Sequence, residues 1–230
     1  MSNALPITAA RWNNASALPP RTADAPVFGD RSIRALDIAI SFTALLFALP
    51  LLVLIAIIVR ISDPGPVLFA HRRVGAGGRT FHCLKFRTMV VDADVRLKAL
   101  LESDPAAREE WNRTQKLRKD PRITWAGSFL RKSSLDELPQ LINVLRGEMS
   151  LVGPRPIVEN EIPRYGRHFA LYCSVKPGVT GLWQVQRDDT TSYRRRVAFD
   201  VAYARSRSLS LNVQILAMTV PTVLLGRGAC

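Results

Sequence analysis

The sequence predicts an α+β protein in which a re-entrant, proline-broken membrane helix precedes a small, mostly helical domain with a β-hairpin and interfacial amphipathic helices. Three observations support this prediction. A nearly uninterrupted apolar run contains a central proline, two runs with a two-residue period flank a glycine cluster, and several helical segments with capping residues follow. With 230 residues, the chain has room for one sizeable core, or a modest domain with an appendage.

The composition indicates an anionic partner and reduced thiols. The formal net charge is +13 at pH 7, which suits nucleic acid, anionic lipid headgroups or phosphorylated substrates equally well. The three cysteines are scattered without the spacing of a redox motif, which favours reduced thiols facing the cytoplasm. The three histidines lack the spacing that is typical of a zinc site.

Residues 1–29 precede the apolar run and are rich in Ala, Pro, Asn and Thr without an apolar period. Prolines at positions 19, 20 and 26 would interrupt any helix, so we expect a disordered leader. The leader does not have the form of a secretory signal, because the apolar run begins only after Arg34 and no small-residue cleavage site follows it cleanly.

Residues 30–62 form the predicted membrane segment. Its unbroken apolar part, 44–59, would give roughly 24 Å of helix, which is shorter than a hydrocarbon core of about 30 Å. Pro50 would bend the helix, and cations flank both ends, which the positive-inside rule assigns to the cytoplasm. A helix that turns at Pro50 and leaves on its side of entry satisfies both observations. The alternatives are a bitopic anchor and a buried core helix.

Residues 63–230 are predicted to form a membrane-associated cytoplasmic domain that begins with a β-hairpin. Its opening turn, its two strands and the glycine-rich connection between the strands are expected at 63–66, 67–74, 79–89 and 75–78. In the second strand, Lys85 and Arg87 share one face by the two-residue period. Two cations on one sheet face suit phosphate oxygens, although a solvated face is the alternative.

Helices account for most of the remaining chain, and capping residues or prolines mark several of their starts. The expected helices span residues 92–101, 104–119, 122–132, 139–145, 157–168, 192–207 and 209–225. A turn with a short strand-like run is expected at 176–185. The last helix is apolar but carries polar side chains, so we expect it to rest on the bilayer as an interfacial helix, with docking in the domain core as the alternative.

The stretch 133–140 carries the strongest chemical signal. Asp136 and Glu137 are adjacent acids just before Pro139, which suits a first helical turn, so we expect them at or just before a helix N-terminus, where anions are stabilised. An ionised carboxylate there could attack an electrophilic phosphorus while its neighbour holds a divalent cation. The alternative is a purely structural capping box between Ser134 and Glu137.

Two arginines are expected beside these acids. Arg131 lies five residues before Asp136, at the end of a basic helical run. Arg155 stands between Pro154 and Pro156, which fix the backbone around it and suit a bidentate contact with a phosphate or a base. The alternative is an ordinary proline-rich loop.

Four motifs follow the basic flank and the proline-broken helix: LKFRTM at 84–89, RKSSLDELPQL at 131–141, RGEMSLVGPRP at 146–156 and KPGVTGLWQV at 176–185. In this order they resemble the bacterial sugar transferases, the monotopic phosphoglycosyl transferases. The likeness runs from about Arg31 to the C-terminus and is greatest to the short exopolysaccharide-priming hexose-1-phosphate transferases. It implies transfer of a sugar-1-phosphate from a UDP-sugar to undecaprenyl phosphate, at the inner membrane, by a catalytic domain that faces the cytoplasm.

The resemblance also implies roles for single residues. Asp136 matches the nucleophile that forms a phosphoglycosyl-aspartate, and Glu137 matches the ligand of a catalytic Mg²⁺. The residues expected to bind substrate are Lys85, Arg87, Arg131, Arg155, Lys176 and Asp200. Lys176 stands where some family members have arginine, and residues 186–189 read QRDD where many have a Ser-Gly-Arg turn, so contacts there are not carried over.

The expected partners are a UDP-sugar, undecaprenyl phosphate and membrane lipid, without nucleic acid; a homodimer and downstream glycosyltransferases are further expectations. The donor sugar is expected to be a hexose, galactose or glucose, with an N-acetylhexosamine or a diamino sugar as the alternative. The charge and the apolar segment also fit a membrane-tethered basic protein that binds without turnover. Such a protein, however, needs neither the Asp-Glu pair nor the Pro-Arg-Pro loop.

Overall fold

The computed structural model describes residues 28–186 and 192–224. The predicted leader lies outside the described residues except for its last two positions, which already belong to the first helix. The elements are, in chain order, α1 (Phe28–Ser62), β1 (Leu68–Val74), β2 (Thr80–Phe86), α2 (Ala93–Ser103), α3 (Pro105–Thr114), α4 (Trp125–Ser133), α5 (Gln140–Arg146), β3 (Ser150–Val152), α6 (Ile162–Tyr165), α7 (Phe169–Cys173), β4 (Gly178–Thr180), α8 (Leu182–Gln186), α9 (Tyr193–Ser206) and α10 (Leu209–Leu224).

The apolar segment folds as one helix, α1, which continues through Pro50. A straight helix of its 35 residues would measure about 52 Å, well beyond a hydrocarbon core of about 30 Å. Within the described ranges it is the one helix that is long and apolar enough to cross a membrane. Its middle turns expose large apolar side chains, with Phe47 80% exposed, which argues against a buried core helix. The re-entrant path remains a prediction.

The first turns of α1 are part of the protein core. Asp37 is buried, and its Oδ1 accepts hydrogen bonds from Ser150 Oγ at 3.1 Å and from the Leu151 amide at 2.9 Å. Arg34 donates hydrogen bonds to the backbone carbonyls of Val144 and Leu145 in α5, at 2.6 and 2.8 Å. Polar groups at these depths need partners, so these contacts fix α1 against β3 and α5.

The last turns of α1 pack against a different part of the same domain. Ile55 and Val59 are buried in an apolar cluster with Phe86 of β2 and Leu130 of α4. Arg60 donates to the carbonyl of Gly65 at 2.8 Å, which closes the turn after the helix. Both ends of α1 therefore contact the domain, while most large apolar side chains of the turns around Pro50 are exposed.

The predicted hairpin is confirmed as the antiparallel pair β1 and β2. Its connection contains Gly77 and Gly78, with φ of 66° and 73°, a region that glycine enters without steric cost. In the register, Phe69 pairs with Lys85 and His71 pairs with Cys83. Paired residues in an antiparallel sheet point to the same face, so these four side chains share one surface.

A second sheet, which the sequence did not predict, consists of the short parallel strands β3 and β4. Their backbones approach so closely that a Cβ on Gly178 would lie 2.0 Å from the amide nitrogen of Gly153. Glycine at both positions therefore permits the contact between the stretches 146–156 and 176–185. The strand-like run expected in the second stretch is limited to β4, because a helix begins at Leu182.

The helix expected at 104–119 is shorter than predicted. Its predicted cap is confirmed, because Asp104 Oδ1 accepts hydrogen bonds from two amides of the first turn of α3. The helix ends at Thr114, since Gln115 adopts a left-handed conformation with φ of 54°.

The helix expected at 122–132 starts three residues late. Asp120 does not cap it, because its carboxylate forms a bidentate pair with Arg122, with distances of 2.8 and 2.7 Å. The cap is instead Thr124, whose hydroxyl accepts an amide hydrogen bond, and α4 begins at Trp125.

The helix expected at 157–168 is wrong as a single element. The chain there forms a 3₁₀ turn over Glu159–Glu161, the short helix α6, a second 3₁₀ turn and then α7. Gly166, with φ of 49°, ends α6.

The predicted last helices, at 192–207 and 209–225, are confirmed as α9 and α10. One face of α10 docks in the core, where Ile215 is fully buried and buried Asn212 Oδ1 accepts from Tyr203 Oη at 3.0 Å. The opposite face exposes Val213 and Val220. The alternative of core docking therefore holds for one face, and the interfacial position of the other remains a prediction.

Candidate active site

A cavity of about 820 Å³ opens between the β-hairpin, the turn that carries Asp136 and Glu137, and the Pro-Arg-Pro loop. Six of the eight predicted site residues line it: Lys85, Arg87, Arg131, Asp136, Glu137 and Arg155. Lys176 and Asp200 do not belong to its wall. Residues of all four sequence motifs line this cavity, which brings Asp136 and Glu137 together with four of the predicted cations.

The two acids lie on a 3₁₀ turn, Leu135–Glu137, between α4 and α5. The capping box does not form: the side chain of Ser134 makes no cap hydrogen bond, and φ of this residue is 57°. Glu137 turns towards the hairpin instead, where its Oε1 accepts from Lys85 Nζ at 2.6 Å. The same Nζ lies 3.8 Å from Asp136 Oδ2. Lys85 therefore contacts both carboxylates.

The pKa values of the two acids are shifted in opposite directions. Burial raises the pKa of Asp136, with the negative charge of Glu137 adding to the rise and Lys85 and Arg131 opposing it. Burial also disfavours ionised Glu137, but attraction to Lys85 and Arg155 outweighs this effect, so the pKa of Glu137 is lowered. Glu137 is consequently the more firmly ionised member of the pair.

Buried Asn143 of α5 connects the segment that carries the two acids to the hairpin. Its Oδ1 accepts from the amide of Leu84 at 2.9 Å, and its Nδ2 donates to the carbonyl of His82 at 2.8 Å. The amide side chain thus pairs with β2 as a strand would. Because Lys85 follows Leu84 directly, this contact fixes the lysine beside the turn that precedes α5.

The arginines of the cavity are held to different degrees. Arg131 Nε donates to Thr88 Oγ1 at 2.9 Å. Arg87 is buried and tied to Asp63, with 3.1 Å between Nη1 and Oδ2 and a second contact from Nη2 to the carbonyl oxygen. Asp63 compensates most of the charge of Arg87, so this arginine of the cavity wall already has an anionic partner.

Arg155 differs from these two arginines. It is half-buried and lines the cavity, yet no hydrogen bond or ion pair of its guanidinium occurs among the described residues. A partly buried, unpaired guanidinium is costly unless an anion binds to it. Of the predicted cations, Arg155 is therefore the best placed to take a phosphate.

Asp200 and Lys176 lie elsewhere. Asp200 is 2% exposed, accepts from Tyr165 Oη at 2.7 Å and lies 4.0 Å from Arg196 Nε. Burial raises the pKa of Asp200 to about 7, opposed by the tyrosine hydrogen bond and by Arg196. Lys176 lies beside Gly147, where α5 ends. The structure therefore places neither residue in the wall of the cavity, and contact of either with substrate stays a prediction.

Four residues of β1 line the cavity without having been predicted to do so, and three of them, Phe69, His71 and Arg73, share the face of Lys85. The signal for them was available in the hairpin. Once Phe69 is paired with Lys85, the two-residue period carries His71 and Arg73 to the same face. Finding them needs the register across the turn, which the strand pattern alone does not give.

The cavity residues fit a magnesium ion that is bound partly by substrate. Over the ranges described, no three His, Cys, Asp or Glu side chains cluster as a metal site. Magnesium, however, commonly binds through one or two carboxylates together with substrate phosphates and water. Asp136 and Glu137 offer carboxylates in a cavity that also holds cations for phosphate, and this donor chemistry suits the ion.

The apolar helix and the phosphate-suited cavity define a class of enzymes that act on phosphorylated substrates at a membrane. The family described as bacterial sugar transferase matches residues 29–226. The chain therefore belongs to the bacterial sugar transferase family, as the sequence motifs predicted, and the apolar α1 agrees with a membrane-associated member.

The similar proteins agree with this membership. The exopolysaccharide production protein ExoY of Sinorhizobium fredii is 47% identical over 212 residues, which cover 92% of this chain and 94% of the relative. An undecaprenyl-phosphate galactose phosphotransferase of Salmonella typhimurium is 48% identical over 196 residues, 85% of this chain and 41% of the relative. A UDP-glucose:undecaprenyl-phosphate glucose-1-phosphate transferase of Escherichia coli is 39% identical over 207 residues, 86% of this chain and 41% of that protein.

Proposed function

We propose that this protein transfers a hexose-1-phosphate, galactose or glucose, from a UDP-sugar to undecaprenyl phosphate, and so primes exopolysaccharide or another surface glycan. The observation that carries the proposal is the pair Asp136 and Glu137, which share Lys85 in a cavity with Arg155, whose guanidinium has no partner among the described residues. Two relatives are named for galactose or glucose phosphate transfer to undecaprenyl phosphate, which favours a hexose over an N-acetylhexosamine.

Asp136 is the proposed nucleophile. Its carboxylate oxygen attacks the phosphorus next to the sugar, a new bond forms between that oxygen and phosphorus, and the bond to the UMP oxygen breaks with its electron pair leaving on UMP. A phosphate oxygen of undecaprenyl phosphate then attacks the same phosphorus and releases Asp136. One site therefore serves both substrates in turn.

The cations of the cavity make the first attack possible. A carboxylate and a diphosphate repel each other, so the charge on the diphosphate oxygens must be compensated before they meet. Arg155 carries no competing partner among the described residues, and Arg131 and Lys85 flank the acids. Lys85 also stays near Asp136 and keeps part of its charge compensated until the substrate arrives.

Glu137 is the proposed magnesium ligand, with substrate phosphates completing the site. When bound, the ion would neutralise charge on the diphosphate and stabilise the leaving group as a Lewis acid. The lowered pKa of Glu137 supports this role, because only the ionised carboxylate binds a hard cation well.

Helix α1 is proposed to enter the inner membrane from the cytoplasmic side and to return to it. Two contacts support this path: Asp37 and Arg34 anchor the first turns on the domain, and Val59 anchors the last turns on it as well. A helix held at both ends by one domain cannot place that domain on both sides of a bilayer. The exposed middle of α1 then lies in the lipid, and exposed Trp125 and Phe129 of α4 suit the interface.

A transfer assay tests the proposed function. The purified protein is incubated with undecaprenyl phosphate, Mg²⁺ and radiolabelled UDP-galactose, UDP-glucose or UDP-N-acetylglucosamine, and label in the lipid fraction is counted. We expect transfer from one of the two hexose donors and none by Asp136→Asn. Transfer from the N-acetylated donor alone would overturn the hexose assignment, and transfer from no donor would overturn the proposed reaction.

A further inference from the structure

The strand β1 brings an imidazole into the cavity with its proton position fixed. His71 Nδ1 lies 3.0 Å from Arg73 Nη2. A guanidinium nitrogen can only donate, so Nδ1 must accept. The proton of the neutral ring is therefore on Nε2. A second proton on Nδ1 would face the arginine, and burial, followed by the charges of Arg73 and Lys85, lowers the pKa of His71.

Arg73 is itself held in place. Its Nη1 donates to the carbonyl of Pro156 at 3.1 Å and lies 3.9 Å from Glu161 Oε2. The guanidinium thus joins β1 to the loop that carries Arg155. Because two contacts orient it, Arg73 fixes the ring of His71 and does not turn away to leave Nδ1 free.

The other nitrogen of the ring has no partner. In the part of the chain that the structure describes, His71 Nε2 makes no hydrogen bond, although the residue lines the cavity. The ring of Phe69 lies beside it, with centroids 5.7 Å apart, and Phe69 is 52% exposed. One donor next to an exposed aromatic surface suits a ligand with both an apolar face and an acceptor.

We propose that His71 Nε2–H donates a hydrogen bond to an uncharged oxygen, a hydroxyl or a carbonyl, of the UDP-sugar. This inference rests on the proposed function. Phosphate oxygens are served by Arg155 and Lys85, which carry charge, whereas a neutral donor suits an uncharged acceptor. His71 follows Phe69, the partner of Lys85, by two residues, or roughly 7 Å along the strand, so it contacts a part of the donor beyond the reacting phosphate.

Two substitutions at His71 distinguish the effect of its Nε2–H hydrogen-bond donor from the effect of ring packing. His71→Gln puts an amide nitrogen near the position of Nε2 and keeps a donor there, whereas His71→Asn keeps a group near Nδ1 and loses that donor. The matched control is His82→Asn, because His82 lies on the same hairpin, on the opposite face, and is exposed. Steady-state transfer with the active UDP-hexose is measured for all three variants, together with their Tm.

We expect His71→Asn to raise KM for the UDP-hexose by about tenfold, the loss of one hydrogen bond, with kcat and Tm little changed. His71→Gln and His82→Asn should stay within about threefold of the native protein. Equal impairment of both His71 variants would overturn the proposal, since the ring would then act only by packing. An unchanged KM in His71→Asn would overturn it as well.

Two further measurements distinguish failure of this proposal from failure of the proposed transfer reaction, and they locate the acceptor oxygen. Absence of turnover in the native protein would refute the proposed reaction before any His71 variant is compared. The affinity of each protein for UMP, measured by calorimetry, then shows which part of the UDP-hexose carries the acceptor oxygen. If His71→Asn binds UMP more weakly than the native protein does, the oxygen belongs to the uridine. If the affinity is unchanged, the oxygen belongs to the hexose. A loss of UMP affinity also seen in His82→Asn would overturn the assignment to His71.

Discussion

Lys85 is the residue on which the charge balance of the cavity depends. It contacts Glu137 at 2.6 Å and lies 3.8 Å from Asp136, so one cation serves two adjacent acids. Without it, two carboxylates so close together would raise each other's pKa, and a neutral aspartate cannot attack phosphorus. The lysine therefore lets an acid in a mostly buried site remain available as a nucleophile.

Arg155, which has no partner in the part of the chain that the structure describes, gives a prediction about phosphate recognition. Arg155→Lys keeps the charge but loses the planar fork, so kcat/KM for the UDP-sugar should fall about tenfold or more if the contact is bidentate. Arg146→Lys, at an exposed position in the last turn of α5, is the control and should leave the kinetics unchanged. Unchanged kinetics in Arg155→Lys would reduce the Pro-Arg-Pro loop to a structural element.

Buried Asp200 gives a prediction about stability. Its pKa is about 7 in the folded protein and about 4 in the unfolded chain, so the folded state binds the extra proton between these values. Its contribution to stability is present below about pH 4 and is lost as the pH rises through about 7. Asp200→Asn still accepts from Tyr165 Oη and should weaken the fall of Tm between pH 5 and pH 8.

Exposed Glu109 provides the control for this titration, because Glu109→Gln should leave the pH dependence of Tm unchanged. A parallel fall of Tm in the native protein and in Asp200→Asn would mean that Asp200 is already ionised at pH 5, and that Arg196 compensates its charge.

At the scale of elements, local signals were sufficient for much of the fold. Some signals act within a few residues, and the elements next to them were predicted. They are the glycines in the hairpin turn, Asp104 as a helix cap and Ser192 before α9. Strand β3 and its pairing with β4 were not predicted, because each strand has three residues and pairs with a partner about 28 residues away. Non-local pairing leaves no period in the sequence.

The same distinction holds for the site. The dyad and the arginines were found because each lies in a short motif, whereas His71 and Arg73 enter the cavity only through the register of the hairpin. Asp200 was assigned to the substrate from the family resemblance, and the sequence gives no sign of how deeply it is buried. Its burial depends on Tyr165, which lies 35 residues earlier.

The contact between β3 and β4 gives a prediction at this scale. A methyl group at Gly178 would meet the backbone of Gly153, so Gly178→Ala should destabilise the protein by about 1–3 kcal/mol. Because this contact supports the loop that carries Arg155, kcat/KM should fall too. Gly77→Ala, where nothing lies within 4 Å, should cost stability through its φ of 66° and leave kcat/KM unchanged. Full activity in Gly178→Ala would show that the contact between β3 and β4 does not support the active site.

At the scale of the whole molecule, the proposed membrane helix α1 packs against the elements that build the cavity. Its first turns contact α5 and β3, and its last turns contact β2 and α4, which are the elements that position the dyad and Lys85. A lipid-linked acceptor that reaches the cavity from the bilayer would therefore meet a site whose walls are fixed to the membrane helix itself. Helix α1 and the domain that holds the cavity therefore pack together as one unit.

This arrangement predicts the topology of α1. Cysteines at exposed Arg31 and Ile61, one at each end of α1, should react with a membrane-impermeant maleimide in inside-out vesicles and not in intact cells. The background carries serine at positions 173 and 230. Labelling of one end from outside would establish a spanning helix. Pro50→Leu, which removes the proline that is expected to bend α1, should shift some molecules to that pattern.

The central claim is that Asp136 becomes covalently linked to the sugar phosphate. The native protein and two variants are incubated with UDP-hexose and Mg²⁺ but without lipid, and intact mass is measured. We expect one added hexose phosphate on the native protein, none on Asp136→Asn, and a small amount on Glu137→Gln that grows at high Mg²⁺. An adduct on Asp136→Asn, or one mapped to another residue by peptide digestion, would contradict the covalent role of Asp136 and favour direct transfer between the two bound substrates.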